Sequence, residues 1–353
     1  MKSEVKSEMK ESRKISCSVV GARGYTGLET VRLLLRHPRA NLQNCFATSD
    51  FSLTSLLRTQ GAAQVKCLPE NQLMTNLSDV IFLATPAEVS LDLAPKILSQ
   101  GKMVIDLSGA FRLKMNDYKK WYGFEHSEKT LLQKADYGLA PFAGPSSAKL
   151  ISNPGCYATA ISMALIPLLK HNIIIEDGIV IDAKSGTSGA GKKAAENLLF
   201  TEVDGECLPY KVGRHQHLPE IQEAVKAFSG KELDAHFTTS LLPVRRGIIA
   251  GIYAKLSKGM TAKDVEAALA KAYAEYPLVA FSAVDRDPGL LQLKKVVGTP
   301  MTHISYAVEG QKLYLFSCID NLLKGAASQA VENFNRITDQ PLWMGLSHLE
   351  ATI

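Results

Sequence analysis

The 353-residue chain is expected to form two domains: a doubly wound parallel α/β sheet, followed by an α+β unit with a mixed, antiparallel-rich sheet. Length is the first reason, because one hydrophobic core rarely serves more than about 250–300 residues. The second is that short apolar strand patterns alternate with helical patterns up to residue 155, which is typical of a parallel sheet. The third is that longer strand patterns dominate after residue 156.

The first half contains strands and helices in regular alternation. A β-rich run at 15–20 precedes a glycine-rich turn, and a helical pattern then runs from Leu28 to Pro38. Further strands are predicted at 41–49, 80–85 and 102–109, with a helix over 87–100.

The second half opens with a helix that begins at or just after Cys156. A second helix, over 261–274, starts with a Thr-x-x-Asp capping pattern. Strand patterns at 302–310 and 311–319 flank Glu309-Gly310 and predict a hairpin. A last helix, over about 322–335, is compatible with either domain. Other strands are predicted at 178–184, 236–244 and 247–256.

These patterns set the predicted domain limits at 15–155 and 156–321, with the segment 322–345 as a possible completion of the first domain. Residues 1–14 alternate Lys and Glu and contain no apolar core. We expect them to form a disordered leader and not a secretory signal or a transit peptide.

Composition and charge exclude several classes of protein. The net charge of +5 is spread along the chain, which is too weak an excess to indicate a nucleic-acid partner. No apolar run reaches the ~18 residues of a membrane helix. No cysteine pair has CxxC spacing, so neither a disulfide framework nor a zinc site is expected. We therefore expect a cytoplasmic protein without a metal and without nucleic-acid or membrane partners. The cysteines are Cys17, Cys45, Cys67, Cys156, Cys207 and Cys318.

A glycine-rich turn, GARGYTG, lies between the first predicted strand and helix. Its glycines would let the backbone approach a pyrophosphate at the helix N-terminus. The spacing is GxxGxxG rather than GxGxxG, and a simple turn is the alternative. The position after the first strand favours a Rossmann-type nucleotide site. Its candidate cofactor-binding residues are Gly21, Arg23, Gly24, Tyr25, Thr26 and Gly27.

The end of the second strand, Thr48-Ser49-Asp50, is expected to face the adenosine ribose. An acidic residue there is typical of NAD binding, because it accepts from the ribose 2′-hydroxyl. A serine suits the 2′-phosphate of NADP. Ser49 and Asp50 thus favour different cofactors, and the residues alone leave the choice open.

Cys156 lies between Asn-Pro-Gly and a long apolar helix. At a helix start, free N–H groups and the macrodipole favour the thiolate. The alternative is a buried structural residue, which is the commoner role of cysteines in general. His215 and His217, near Glu220, are the leading candidates for a partner base. The His-x-His spacing also permits a metal, but no third ligand is obvious nearby.

Three further segments are candidates for anion binding. The loop SGTSGAGKK, which begins at Ser185, follows a strand but lacks Walker A spacing, so a flexible connector is its alternative. Arg112 and the pair Arg245-Arg246 are the others. For each arginine alone, a surface ion pair is the commoner role.

Taken together, these segments resemble the longer form of the N-acetyl-gamma-glutamyl-phosphate reductase family, a relative of aspartate-semialdehyde dehydrogenase. The matching segments run in the family's order from residue 21 to about 330. The combination of NPGCY, HxHxPEI and DNLxKGAA is highly specific. The matches are GARGYTG, LATPAEVS, DLSGAFRL, YGLAPF, SNPGCYATA, SGTSGAG, HQHLPEI, LLPVRRGI and DNLLKGAASQA.

The resemblance implies an enzyme of arginine biosynthesis that uses NADPH/NADP to reduce N-acetyl-γ-glutamyl phosphate, a small-molecule acyl phosphate, through a thioacyl intermediate. It makes Cys156 the nucleophile and His217 the acid/base. It also implies an NADP-binding first domain, a catalytic and dimerisation second domain, and a homo-oligomer, either a dimer or a tetramer. The implied substrate-binding residues are Arg112 for the phosphate, Arg246 for the carboxylate, His215 and Glu220. The implied cofactor-binding residues, besides the glycine-rich turn, are Ser49, Thr85, Pro86, Ser188, Gly189, Ala190, Gly191 and Asn321.

The sequence departs from the family pattern at Ser240, where His is common, at YGLAPF, where YGLPEL is usual, and at Asp50. Two alternatives are a related reductase of aspartyl phosphate or of N-acetyl- or carrier-linked aminoadipyl phosphate, and a catalytically silent nucleotide-binding regulator. A Cys–His hydrolase would not explain the glycine-rich strand–helix turn.

Overall fold

A computed structural model of the chain describes residues 14–347. Its first sheet has seven strands, all parallel, in the order β3-β2-β1-β4-β5-β7-β6. The order reverses beside β1, which is the arrangement of a doubly wound Rossmann-type sheet. The strands are β1 (Ile15–Val20), β2 (Ala40–Ala47), β3 (Lys66–Pro69), β4 (Val80–Leu83), β5 (Met103–Asp106), β6 (Asp136–Tyr137) and β7 (Leu150–Ser152).

The second sheet also has seven strands, in the order β12-β13-β14-β11-β8-β10-β9. Four of its six neighbouring pairs are antiparallel and two are parallel. The predicted mixed, antiparallel-rich sheet is therefore confirmed. The strands are β8 (Ile179–Gly186), β9 (Leu208–Pro209), β10 (Ala235–Leu242), β11 (Ile248–Lys255), β12 (Val279–Ala283), β13 (Thr302–Glu309) and β14 (Lys312–Ile319).

Helices cover the sheets, and one of them, α6 (Cys156–Lys170), is buried on all sides. In α6, every residue from Tyr157 to Leu169 is buried, as expected of a helix enclosed by other elements. It packs against β11 and β14 and against helices α8 and α9. The helices are α1 (Tyr25–Arg36), α2 (Leu53–Leu56), α3 (Ala87–Ser99), α4 (Tyr118–Tyr122), α5 (Lys129–Lys134), α6 (Cys156–Lys170), α7 (Phe200–Val203), α8 (His217–Ser229), α9 (Ala262–Tyr273) and α10 (Ser328–Ile337).

Local signals placed several elements correctly. β1 has the predicted bounds, and β13 and β14 form the predicted hairpin with Glu309 opposite Lys312. Thr261 and Asp264 form the predicted capping box. Helix α1 starts earlier than predicted, at Tyr25, because Gly24 is its N-cap and the end of the glycine-rich turn forms its first turn. Strand β3 was not predicted.

The predicted last helix is divided into a π-helical turn, Leu323–Ala327, and α10. The ring of Phe334 in α10 lies 5.3 Å from that of His37 and 6.2 Å from that of Phe82 in β4. Asn335 adds a hydrogen bond to the His37 ring. Helix α10 therefore packs on the first sheet, one of the two positions that the sequence left open.

The leader predicted at 1–14 lies outside the described residues, apart from Lys14. In the described part of the chain, no helix is both long and apolar enough to cross a membrane.

Candidate active site

One cavity, of about 800 Å³, is lined by residues from both sheet domains. It brings together the start of α6, the histidine pair, and parts of both glycine-rich loops. The predicted site residues that line it are Gly24, Tyr25, Thr26, Thr85, Pro86, Arg112, Cys156, Ser188, Gly189, Ala190, Gly191, His215, His217 and Asn321.

Cys156 is the first residue of α6, as the sequence predicted, and Gly155 is the N-cap. No side chain caps this helix start, so its first N–H groups remain available to a ligand. The Gly155 N–H is the exception in this region, since it donates to Glu220 Oε1 at 2.7 Å. The helix start can thus stabilise negative charge on the sulfur or on a bound carbonyl oxygen.

Two glycines let other groups approach Cys156 closely. A Cβ atom at Gly155 would lie 2.4 Å from His217 Nε2 and 2.8 Å from Arg112 Nη1. A Cβ atom at Gly325, in the π-helical turn, would lie 2.6 Å from the Cys156 Cβ. Any larger residue at either position would displace a site residue. The close packing of His217 and Arg112 beside the main chain at Cys156 therefore requires glycine.

The two histidines lie side by side, with ring centroids 4.8 Å apart. His217 is the first residue of α8, and its backbone N–H donates to His215 Nδ1 at 3.1 Å. The His215 ring packs edge-on against Tyr157 and Phe237. His217 Nε2 faces Gly155 and lies 3.9 Å from Glu220 Oε2. His215 therefore orients the start of α8, and His217 faces the reacting region.

Both histidines are neutral in the resting site. Burial, with the nearby charges of Arg112 and Lys211, lowers the pKa of His217 well below its usual value. Burial and the neighbouring His217 lower the pKa of His215 to about 2. A neutral imidazole can accept a proton, so His217 is suited to act first as a base.

Cys156 is also neutral at rest, which differs from the sequence-based expectation. Burial raises the pKa of its thiol to about 11, while Arg112 and backbone N–H groups act in the opposite direction. The helix start therefore favours the thiolate as expected, but desolvation outweighs it. The resting pair is a thiol beside an imidazole, and not a thiolate–imidazolium pair.

Arg112 is held rigidly behind Cys156. Its Nε donates to the Asn153 carbonyl at 2.8 Å and its Nη2 to the Leu107 carbonyl at 2.9 Å. Its Nη1 lies 3.6 Å from Glu220 Oε2. Burial opposes its charge, but the Glu220 carboxylate and other neighbours more than offset burial, and the pKa of Arg112 is raised. The guanidinium is thus a fixed cation directed at the start of α6.

Glu220 is fully buried and does not line the cavity of Cys156. It accepts hydrogen bonds from Gly155 N and, at 2.8 Å, from the Tyr137 hydroxyl. With Arg112 it borders a second cavity of about 430 Å³. This placement does not fit the predicted substrate contact. It indicates instead that Glu220 positions Gly155, Arg112 and His217.

The glycine-rich turn fits a dinucleotide phosphate. Helix α1 has no side-chain cap, so its N-terminal N–H groups are available. Gly21 has φ +78°, and a Cβ atom there would lie 2.2 Å from the Ala84 carbonyl oxygen. A Cβ atom at Gly27 would lie 2.3 Å from the Gly21 oxygen. Gly21 and Gly27 therefore support the turn from behind and do not line the cavity.

The guanidinium of Arg23 donates to the Ser49 hydroxyl, although neither residue lines the 800 Å³ cavity. This contact places a cation and a hydroxyl together at the end of β2. Asp50 is exposed beside them. The pair Arg23–Ser49 suits a 2′-phosphate, and it favours NADP at the position where the sequence left the choice open.

Asn321 connects the second glycine-rich loop to the rest of the site. Its Nδ2 donates to the Ser188 hydroxyl at 3.0 Å, and its Oδ1 accepts from Gly247 N at 2.7 Å. Both Asn321 and the segment 188–191 line the cavity.

Arg246 does not line the cavity of Cys156. Its Nη1 pairs with Glu29 at 2.6 Å and its Nη2 with Asp320 at 2.9 Å, and the side chain is 12% exposed. It borders a separate cavity of about 250 Å³. This placement does not fit the predicted contact with the substrate carboxylate. Arg246 instead ties α1 to the end of β14.

Several cavity residues were missed by the sequence analysis. The most informative are Tyr210 and Lys211, whereas Lys192 belongs to the loop that was predicted to bind an anion. A basic or aromatic residue close in sequence to the histidine pair or to the second glycine-rich loop was the feature that could have indicated them. Among residues 14–347, no cluster of three or more His, Cys, Asp or Glu side chains is placed to hold a metal ion.

Comparison with known proteins gives the family. Residues 16–149 match the family model described as semialdehyde dehydrogenase, NAD binding domain, and residues 156–321 match the dimerisation domain of the same name. An N-acetyl-gamma-glutamyl-phosphate reductase of Streptococcus thermophilus is 39% identical over 324 residues, which are 90% of this chain and 94% of that protein. This chain belongs to the N-acetyl-gamma-glutamyl-phosphate reductase family. The reductase of the same name from Geobacillus stearothermophilus is 38% identical over 91% of this chain and 94% of that protein. The one from Staphylococcus epidermidis is 36% identical over 90% of this chain and 94% of that protein.

Solved structures show that this member of the reductase family shares the semialdehyde dehydrogenase fold. Aspartate semialdehyde dehydrogenase II of Vibrio cholerae, complexed with ASA, has a TM-score of 0.73 at 16% identity and covers 93% of this chain and 99% of that one. The enzyme of Candida albicans with NADP has a TM-score of 0.65 at 13% identity, covering 92% and 99%. The chain is an NAD(P)-binding oxidoreductase of the N-acetyl-gamma-glutamyl-phosphate reductase family.

Proposed function

We propose that the protein reduces N-acetyl-γ-glutamyl phosphate to N-acetylglutamate 5-semialdehyde and inorganic phosphate in arginine biosynthesis, with NADPH as reductant. The observation that carries this proposal is the convergence of Cys156, His217 and Arg112 in one cavity beside two glycine-rich loops. The names of the curated relatives specify the acyl phosphate. The assignment of roles to individual residues is part of the proposal.

Cys156 acts as the nucleophile. His217, neutral at rest, accepts the thiol proton when the acyl phosphate binds, and Arg112 favours the resulting thiolate. The sulfur forms a bond to the carbonyl carbon, and the bond from that carbon to the phosphate oxygen breaks. Inorganic phosphate leaves and takes a proton from solvent. A thiolate suits this step because it is a good nucleophile and later a good leaving group.

NADPH, when bound, supplies the hydride that reduces the thioacyl carbonyl. The glycine-rich turn at 21–27, the Arg23–Ser49 pair, the loop at 188–191 and Asn321 are the residues that would hold it. The N–H groups at the start of α6 stabilise the hemithioacetal oxyanion. The proton on His217 neutralises that oxyanion and returns to the sulfur as the C–S bond breaks. The aldehyde is released and the neutral thiol of Cys156 is restored.

The reverse reaction tests this proposal. Purified protein should reduce NADP when given N-acetylglutamate 5-semialdehyde and inorganic phosphate, and the Cys156→Ala variant should bind NADPH without turning over. Aspartate semialdehyde and N-acetylaminoadipate semialdehyde are the comparison substrates. A preference for either would make the protein a related acyl-phosphate reductase. Cofactor binding with no turnover of any of the three would make it a silent nucleotide-binding regulator.

We also propose that the chain forms a homodimer through the outer face of the second sheet. One family model is described as a dimerisation domain and covers that sheet. Val180 and Tyr253 are register partners on β8 and β11, and they remain 41% and 37% exposed. Large exposed apolar side chains on paired strands are typical of an interface.

Light scattering should give the mass of a dimer, and Tyr253→Glu should shift that mass to the mass of a monomer. A mass of four chains would indicate a tetramer.

The domain limits 15–155 and 156–321, with 322–345 returning to the first domain, belong to the same proposal. They are supported by the limits of the two family models and by the packing of α10 on the first sheet. A cytoplasmic location remains a prediction.

A further inference from the structure

We propose that Lys211 binds the α-carboxylate of the substrate and selects acyl phosphates that carry this group. The inference rests on the proposed function, because it names the residue that recognises the second anionic group of that substrate. N-acetyl-γ-glutamyl phosphate has a phosphate at one end of a short carbon chain and a free carboxylate at the other. Arginine and lysine are common partners of both groups. Arg246, the cation predicted for the carboxylate, is instead paired with Glu29 and Asp320 and borders another cavity.

Three arginine and lysine side chains line the cavity of Cys156 in the described structure: Arg112, Lys192 and Lys211. Arg112 lies behind the start of α6 and is assigned to the phosphate. The Nζ atom of Lys192 lies 3.5 Å from the carbonyl oxygen of Arg23, beside the glycine-rich turn for the cofactor. Lys211 is the remaining cation, and His215 and His217 are neutral and do not supply a further charge.

Lys211 lies on the substrate side of the cavity, next to the histidine pair. Its Nζ donates to the side-chain oxygen of Gln216 at 2.7 Å, and Gln216 directly precedes His217. The charge of Lys211 contributes to the low pKa of both histidines, which agrees with its closeness to them. A lysine ammonium has three donors. Within the described chain, its hydrogen bond to Gln216 occupies one of them, so the others can reach a carboxylate.

The backbone at Lys211 is held in a conformation that is unusual for a lysine. Its φ of +47° lies in the left-handed region, which favours glycine. The turn is closed by Arg214 N, which donates to the Lys211 carbonyl at 3.0 Å. Such conformations in residues other than glycine cluster at ligand sites, where the surrounding structure maintains them. Here the turn places Lys211 in the lining of the cavity, four residues before His215.

The other nearby cations are excluded by their positions. Arg246 pairs with Glu29 and Asp320. Arg245 borders the same separate cavity as Arg246, and Arg214 does not line the cavity of Cys156.

The test compares two aldehydes that differ only in the carboxylate: N-acetylglutamate 5-semialdehyde and 4-acetamidobutanal. The wild-type protein and Lys211→Met are assayed with each, with NADP and inorganic phosphate. In the variant, kcat/KM for the carboxylated aldehyde should fall by roughly ten- to a hundredfold, the effect of one charge-assisted hydrogen bond. For 4-acetamidobutanal it should stay within about twofold, so the preference between the two aldehydes should largely disappear. Lys193→Met removes an exposed lysine that does not line the cavity, and should keep the preference.

An equal loss for both aldehydes would overturn the inference, because it would place the effect of Lys211 on the histidines and not on the carboxylate. An unchanged preference in Lys211→Met would overturn it as well. Lys211→Arg should keep most of the preference if charge is what matters, and a melting measurement confirms that each variant is folded. Failure of the wild-type protein to oxidise N-acetylglutamate 5-semialdehyde would refute the proposed function and this inference together. If the wild-type protein oxidises N-acetylglutamate 5-semialdehyde but Lys211→Met keeps the same preference between the two aldehydes, the inference alone is refuted.

Discussion

Desolvation is the largest influence on both Cys156 and His217: it raises the pKa of the thiol and lowers the pKa of the imidazole, so both groups are neutral at rest. In the proposed mechanism, the proton passes from Cys156 to His217 only when the bound substrate and its phosphate charge change the electrostatics of the cavity. A permanently ionised cysteine would be open to oxidation and alkylation. Under the proposed mechanism, a neutral pair would form the reactive thiolate only after the acyl phosphate is bound.

This arrangement predicts how alkylation of Cys156 depends on pH. Because burial raises the pKa of the thiol to about 11, the thiolate fraction in the ligand-free protein grows as pH rises towards that value. The rate of iodoacetamide modification should therefore keep increasing from pH 7 to about pH 10. Mass spectrometry of the peptide that contains Cys156 separates it from the exposed Cys207. A rate that levels off below pH 7 would show a thiolate in the resting site.

Replacing each histidine by asparagine should give unequal losses. His217 Nε2 faces Gly155, whereas His215 accepts a backbone hydrogen bond and lies among aromatic rings. His217→Asn should lower kcat by about 10²–10⁴-fold, the usual contribution of a general acid–base group. His215→Asn should have a much smaller effect. A larger loss at His215 would mean that the acid/base was assigned to the wrong member of the pair.

Arg112→Lys should raise the KM for inorganic phosphate in the reverse reaction by about tenfold or more. The Arg112 guanidinium donates to the carbonyls of Asn153 and Leu107 and still directs Nη1 at the start of α6. The ammonium group of a lysine cannot reproduce this planar arrangement of donors. NADPH affinity, measured by fluorescence titration, should be unchanged. If only the melting temperature changes, Arg112 is structural and the phosphate binds elsewhere.

At the scale of elements, the site depends on the packing of the π-helical turn 323–327 against the start of α6. The turn is anchored from the opposite side by Lys324, whose Nζ lies 2.8 Å from Glu332 in α10 with both side chains fully buried. Removing one partner of such a pair would leave an uncompensated buried charge. Asn153 Nδ2 adds a hydrogen bond of 3.1 Å to the Ala326 carbonyl. The turn is therefore held in place while Gly325 contacts Cys156.

Because the turn is anchored, Gly325→Ala should displace Cys156. The new Cβ would lie 2.6 Å from the Cys156 Cβ, and overpacking of this kind typically costs about 1–3 kcal/mol. We expect a lower free energy of unfolding in urea and at least a roughly tenfold loss of kcat/KM. Gly144→Ala is the matched control, since no heavy atom lies within 4 Å of a Cβ there. Full activity in Gly325→Ala would show that the contact is not needed.

Elements with local signals were predictable, and those that depend on distant partners were not. The hairpin at Glu309-Gly310 and the cap at Thr261 carry their signals within a few residues. The π-helical turn packs Gly325 against Cys156, which lies far earlier in the chain. The position of Arg246 depends on Glu29, which is far away in the chain.

At the scale of the whole molecule, the alternation of strand and helix patterns predicted the parallel sheet, and longer strand patterns predicted the mixed sheet. The family motifs marked many, but not all, of the residues that line the cavity. What the sequence could not show was which side chains face that cavity. Glu220 and Arg246 lie behind or beside it, whereas Lys211 lines it. How strongly the folded protein desolvates the Cys156 thiol could not be predicted from the sequence either. That desolvation raises the pKa of Cys156 despite its position at a helix start. Both properties arise only when the two domains come together.

The most direct test of covalent catalysis is acylation of the protein without reductant. Protein free of NADPH is mixed with N-acetyl-γ-glutamyl phosphate, quenched in acid, and examined by intact-protein and peptide mass spectrometry, while released phosphate is measured in parallel. The account predicts one N-acetylglutamyl group per chain on Cys156, an equal amount of phosphate released, and neither in Cys156→Ala. Phosphate release that requires NADPH, with no adduct on Cys156, would contradict it.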